Sequence, residues 1–107
     1  VAKAMRHVLV DAARARLRLR RGAGQENLPL EAAADVQGMP DRSVVELNDA
    51  LEQLGVLDSR LVQVVECRFF AGFTDEQTAQ ALKLSDRTVR RDWEKARAWL
   101  YRELQPG

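Results

Sequence analysis

Apolar positions in the second half of the chain recur every three or four residues, in blocks divided by helix-breaking punctuation. Val44, Leu47, Leu51 and Leu54 fall on one helical face. Ser43 and Glu46 stand at capping-box spacing and are expected to open that helix, with Gly55 closing it. Asp58 is the expected cap of the next helix, whose apolar residues are Leu61, Val64, Val65 and Phe69 and whose terminator is Gly72. Thr74 and Gln77 repeat the capping-box spacing and open a short helix to about Leu82. Ser85 then caps a longer helix through about Leu104, ahead of Pro106 and Gly107. Four helices with short connections predict a compact bundle over residues 43–107.

The first half reads differently. Residues 2–20 are rich in Ala, Leu and Arg, with Met5, Leu9, Ala12 and Ala13 at spacings that suit one apolar helical face. The stretch from Arg14 to Arg20 alternates with period two, which would also suit a strand. Ala and Arg without β-branched residues favour helix. Gly22 and Gly24 end it. Between residues 22 and 42 lie three of the six glycines and two of the three prolines, Pro29 and Pro40, with room for one short helix at Leu30–Val36. This stretch is the expected flexible linker. The predicted architecture is all-α: an N-terminal helix over 1–21, a linker over 22–42 and a four-helix bundle over 43–107.

Composition narrows the chemistry. One Cys among 107 residues excludes an intramolecular disulfide framework and a Cys-rich zinc site. His7 stands among basic residues, with no Cys or carboxylate at metal-ligand spacing, so an exposed or helix-packing role is expected and no metal or other cofactor. Cys67 lies in an apolar helix and is expected to be a small buried residue. Asp75 and Glu76 open a helix, where acids favour the dipole rather than catalysis. There is no glycine-rich phosphate loop. An enzyme is not expected. No apolar run approaches the ~20 residues of a membrane span, and a soluble, cytoplasmic protein without a membrane partner is the expectation. The sequence opens at Val1 inside a helical pattern, as a fragment of a longer chain would.

The formal net charge of +1 conceals an asymmetry. Residues 1–21 carry seven basic groups and one acid, residues 22–66 nine acids and two arginines, and residues 67–107 eight bases and six acids. Basic ends around an acidic middle suit a polyanion ligand, although N-terminal charges can also do no more than solvate a helix end.

The most informative stretch runs from Thr74 to Leu100. A helix of about eight residues, a turn of about four and a longer helix follow the helix-turn-helix plan. Small Ala79 permits close approach of the second helix, and Leu82 and Leu84 are placed to plug the space beside the turn. Val89, Trp93, Ala96 and Leu100 form the expected buried stripe, and both Trp93 and Trp99 are expected to pack against core or a partner rather than stack on bases. Opposite that stripe stand Arg87, Thr88, Arg90, Arg91 and Lys95. Arg can bond guanine edges in bidentate fashion, a hydroxyl and Lys can take phosphates, and the N–H groups beyond Ser85 can hold a backbone phosphate. Against this, any exposed helix carries basic residues, and Asp86, Asp92 and Glu94 could neutralise several through pairs such as Arg90–Glu94.

Residues 46–103 resemble region 4 of a bacterial RNA polymerase sigma factor of the extracytoplasmic-function (ECF) group in the sigma-70 superfamily. The resemblance rests on the run V-x-C-R-F-F-A-G-F-T, then T-A-x-x-L-x-L-S-x-R-T-V, then D-W-x-x-A-R-A-W-L. The opening AKAMRHVLVDAARARLRLRRGAG is similar to the end of region 2 in one ECF subfamily, leaving residues 25–42 as the variable interdomain linker. The resemblance implies promoter recognition in transcription initiation, by binding the −35 element and docking on the core polymerase. It places Arg87, Thr88, Arg90 and Arg91 where the recognition helix faces DNA, Lys95 at a phosphate, and the helices around Leu47–Phe70 at the β flap; Ser85 joins this set through the N–H groups at the helix start. It places Arg14–Arg21 near upstream DNA and the polymerase clamp. Lys83 stands where the family's turn usually has Gly, which costs ~1 kcal/mol if its φ is positive. Most of region 2, including the segments that melt the −10 element, is missing from this sequence.

Two other readings stay open: a free-standing helix-turn-helix regulator binding palindromic half-sites, and the DNA-binding tail of a recombinase or transposase. An anti-sigma factor as partner, and self-association through the apolar face of the N-terminal helix, also stay open.

Overall fold

The computed structural model describes residues 1–23 and 38–105. Five α-helices and no strand are found among them: α1 (Ala2–Ala23), α2 (Asp41–Leu57), α3 (Ser59–Val65), α4 (Asp75–Leu82) and α5 (Asp86–Glu103). The all-α expectation holds. The short helix anticipated at Leu30–Val36 lies outside the described residues.

Local chemistry explains most helix ends. Asp58 accepts from the Arg60 N–H at 3.1 Å and caps α3. Thr74 and Gln77 form the complete reciprocal box at α4, with bonds of 3.0 and 2.9 Å. Ser85 caps α5 by accepting from the Thr88 N–H at 3.1 Å. Gly72, at φ +71°, lets the chain reverse before α4.

Two boundaries differ from the sequence reading. Helix α2 starts at Asp41 behind Pro40, so Ser43 is already in its first turn and caps nothing. The reason is tertiary: Asp41 is buried beneath two arginines of α1, which draws the helix start forward. Nor does Gly55 end α2. The helix continues to Leu57, where the Asp58 N–H closes on the Leu54 carbonyl at 2.7 Å.

Beyond Val65, α3 widens into a π-helical turn, Glu66–Phe70, with the Ala71 N–H reaching back to the Glu66 carbonyl at 3.0 Å. This turn lies against α1 and buries Glu66, Cys67 and Phe70.

The main core joins α1, α2, α3 and α5 through Val10, Ala13, Val44, Leu47, Leu51, Leu54, Leu61 and Leu100, among others. A smaller cluster of Val64, Ala79 and Val89, flanked by Leu82, Leu84 and Trp93, fixes α4 against α5. The buried face of α1 is rotated from the anticipated one. Val10 and Ala13 are buried and Leu9 is half-buried, but Met5 is 41% exposed, and Arg6 is buried in its place. Arg6 turns inward because acids await it: Glu66 Oε2 at 3.0 Å and Glu52 Oε2 at 3.2 Å. Its Nε faces Glu66 as an ion pair without a well-aligned hydrogen bond.

Candidate nucleic-acid interface

Helix α4, the three residues Lys83–Ser85 and helix α5 form one continuous device. Lys83 occupies the left-handed region at φ 59°, ψ 46°, so the turn position does carry the strain that Gly would avoid. The Leu84 N–H bonds to the Ala79 carbonyl at 2.9 Å and tightens the exit from α4. Ala79 is buried against Val64 and Val89, and its small side chain lets the two helices approach, as anticipated.

With Val89, Ala96 and Leu100 buried, the opposite side of α5 is turned to solvent. Arg87, Arg90, Arg91 and Lys95 are all exposed there, and Thr88 is half-buried. Among the described residues none of these four cations has a carboxylate within 4.0 Å; the anticipated Arg90–Glu94 pair is not formed. Ser85 is exposed, but its Oγ already serves the Thr88 N–H and lies 3.0 Å from the Thr88 hydroxyl. Three arginines and a lysine without anionic partners, on a rigid helix whose first turn is capped, form a surface chemically suited to phosphates and base edges.

What anchors this helix was only partly visible in the sequence. Asp92 does not neutralise its own helix; it is buried and receives Arg60 from α3, with Nε to Oδ2 at 2.7 Å and Nη2 to Oδ1 at 3.2 Å. Trp93 packs against both hydrophobic clusters yet remains half-buried, with the guanidiniums of Arg68 and Arg97 lying 5.4 and 5.5 Å from its ring. Arg68 also donates to the Phe73 carbonyl at 2.7 Å and pairs with Asp75 at 3.1 Å, tying the π turn to the start of α4. Trp99 packs against the main core. An acid inside an apolar stripe, as Asp92 is between Val89 and Ala96, was the signal available for that anchor.

The model of the ECF sigma factor family matches residues 1–106. The chain belongs to the ECF sigma factor family. No curated relative and no solved structure matches it. Its role as an ECF sigma factor is in transcription initiation.

The remaining residues of interest in this sigma factor lie away from α5. Cys67 is buried, and burial, together with the neighbouring Glu66, pushes its thiol pKa up, so it is poorly suited to nucleophilic or redox work. His7 is exposed. The described residues contain no cluster of His, Cys, Asp and Glu that could hold a metal ion, and no helix long and apolar enough to cross a membrane. The basic end of α1 is partly engaged: Arg16 and Arg20 both turn to Asp41, while Arg14 lies 3.7 Å from Asp11 and Arg18 is exposed.

Proposed function

We propose that this chain reads the promoter −35 element through α5 and docks on core RNA polymerase through the α2–α3 side of the bundle. α4 and α5 then act as a helix-turn-helix. Arg87, Arg90 and Arg91 address base edges in the major groove, and Thr88, Lys95 and the N–H groups beyond Ser85 hold the phosphate backbone. The observation that carries this reading is the exposed basic face of α5, unneutralised among the described residues and held in one rotation by half-exposed Arg60 on buried Asp92. Residues 1–21 stand as the end of region 2, residues 22–42 as the interdomain linker and residues 43–107 as region 4. Val56 and Leu57, exposed apolar residues at the end of α2, supply an apolar contact for the β flap. The protein works in the cytoplasm, with promoter DNA and core polymerase as its partners.

The test has two arms. Saturable binding to core polymerase and to a purified β-flap fragment is expected; binding to neither, by a folded chain, would favour a free-standing regulator. Duplexes selected from a random pool by the polymerase-bound chain are then titrated with the wild type, Arg90→Ala and Arg91→Ala. Each variant is expected to lose about 1–3 kcal/mol on the selected duplex and less on a scrambled one. Equal losses on both would leave phosphate contact and remove base reading.

A further inference from the structure

A cleft of about 510 Å³ is lined by α1, α2 and α3 and reaches Glu66, the first residue of the π-helical turn. Arg6 lines it from α1, and its side chain is only 4% exposed. Nη2 donates to Glu52 Oε2 at 3.2 Å, and Nε faces Glu66 Oε2 at 3.0 Å. Nη1, equally shut off from solvent, has no acceptor among the described residues. A buried guanidinium nitrogen that has lost its hydration and gained no acceptor is costly, so native proteins leave few of them unserved. A water or a ligand has to supply what the chain does not.

The walls favour a ligand with one negative charge and an apolar body. Lys3 and His7 line the same cleft, both exposed, and neither has a carboxylate within 4.0 Å among the described residues. Burial raises the pKa of the Glu66 carboxyl, and Arg6, Lys3 and His7 each draw it back down, so the three basic groups act on one point. Set against Glu52 and Glu66, Arg6 and Lys3 leave the cleft close to neutral, which suits a monoanion better than a phosphate dianion. Val56 and Val62 give the apolar wall. The Glu52 side chain is 63% exposed. It can turn into water without unpacking the core, which opens the Arg6 guanidinium to the cleft and leaves no buried carboxylate unpaired.

We infer that this cleft binds a small organic monocarboxylate. The ligand carboxylate accepts from Arg6 Nη1 beside the Lys3 ammonium, and its hydrocarbon body lies along Val56 and Val62. No residue of α5 lines the cleft, so this reading and the promoter reading fail independently. Since α1 supplies one wall and α2 and α3 the other, an occupied cleft fastens α1 to the bundle, and the melting temperature rises with ligand concentration.

Isothermal titration calorimetry on the full chain, at fixed ionic strength, uses hexanoate as the probe, with butanoate, hexanamide and inorganic phosphate beside it. Hexanoate should bind saturably at one site, and butanoate about two- to fourfold more weakly for each CH₂ lost from the apolar wall. Uncharged hexanamide should not compete, and phosphate should bind more weakly than hexanoate. Lys3→Gln should weaken hexanoate binding about three- to tenfold, and Glu52→Gln should strengthen it by a similar factor, because they change the charge beside the ligand in opposite directions. Both side chains are exposed, so both variants keep the fold, which circular dichroism checks. No saturable binding of hexanoate would overturn the inference and leave Nη1 to an ordered water. Binding that Lys3→Gln and Glu52→Gln leave unchanged would place the ligand elsewhere and overturn it equally. Phosphate or hexanamide binding as tightly as hexanoate would overturn the carboxylate class.

Discussion

Removing Arg60 and removing the charge of Asp92 break the same ion pair but should not cost the same. The Asp92 side chain is 6% exposed, whereas that of Arg60 is 48% exposed. Arg60→Ala strips the partner from a carboxylate that stays inside the protein. Stranding a buried charge costs about 3–5 kcal/mol, but the space vacated by a half-exposed Arg admits water. Solvent screening therefore lowers the expectation to about 2–3 kcal/mol. Asp92→Asn keeps the volume and one acceptor oxygen, while Arg60 can swing into solvent, so the loss should be about 0.5–1.5 kcal/mol. The double variant should be more stable than Arg60→Ala alone, because the buried group left behind is neutral. Urea denaturation followed by circular dichroism at constant m measures all four proteins. Asp92→Asn costing as much as Arg60→Ala would show that Asp92 is not desolvated in solution. The Arg60–Asp92 pair would then not be what holds α5 in rotation.

Three further outcomes are expected. Burial raises the Glu66 carboxyl above 4.5 despite Arg6 beside it. The folded chain thus holds that proton more tightly than the unfolded chain, and the Glu66 contribution to stability falls as pH rises from 4.5 through the raised value. Glu66→Gln should remove that decline, seen as a wild-type-minus-variant Tm difference that changes with pH in this window; a constant difference would show that Glu66 does not titrate there. Lys83→Gly should stabilise the chain by up to about 1 kcal/mol in thermal melting, since it relieves a left-handed Lys, and a loss of stability would mean that the turn is not strained. Cys67 should react with a thiol reagent only as fast as the chain opens, so its rate should follow urea concentration, whereas prompt reaction in native buffer would contradict its burial.

Much of the fold was legible because its determinants are local. The caps at Asp58, Thr74 and Ser85 and the reversal at Gly72 each depend on residues within about one helical turn, and the stripe Val89–Ala96–Leu100 on residues within about three. The exposed cations of α5 follow from that stripe, so the candidate interface could be laid out before any packing was known. Where local signals misled, a distant partner was responsible. Ser43 has the right spacing to cap α2, yet the helix begins at Asp41, because Arg16 lies 25 positions away in sequence and adjacent in space. Met5 looked like core, yet Arg6 faces inward towards Glu52, 46 positions on.

The amino-acid order by itself therefore determined the helices, the family-bearing motifs and the basic face of α5, since periodicity and capping are written in neighbouring residues. Which charges are free and which are consumed was decided by the tertiary structure alone. Arg16, Arg20 and Arg60 look in sequence like any other solvated ions, and Asp92 differs only in standing inside an apolar stripe. An ion pair depends on a few ångströms of separation and on the water excluded around it, and only the packing of α1, α2, α3 and α5 sets both.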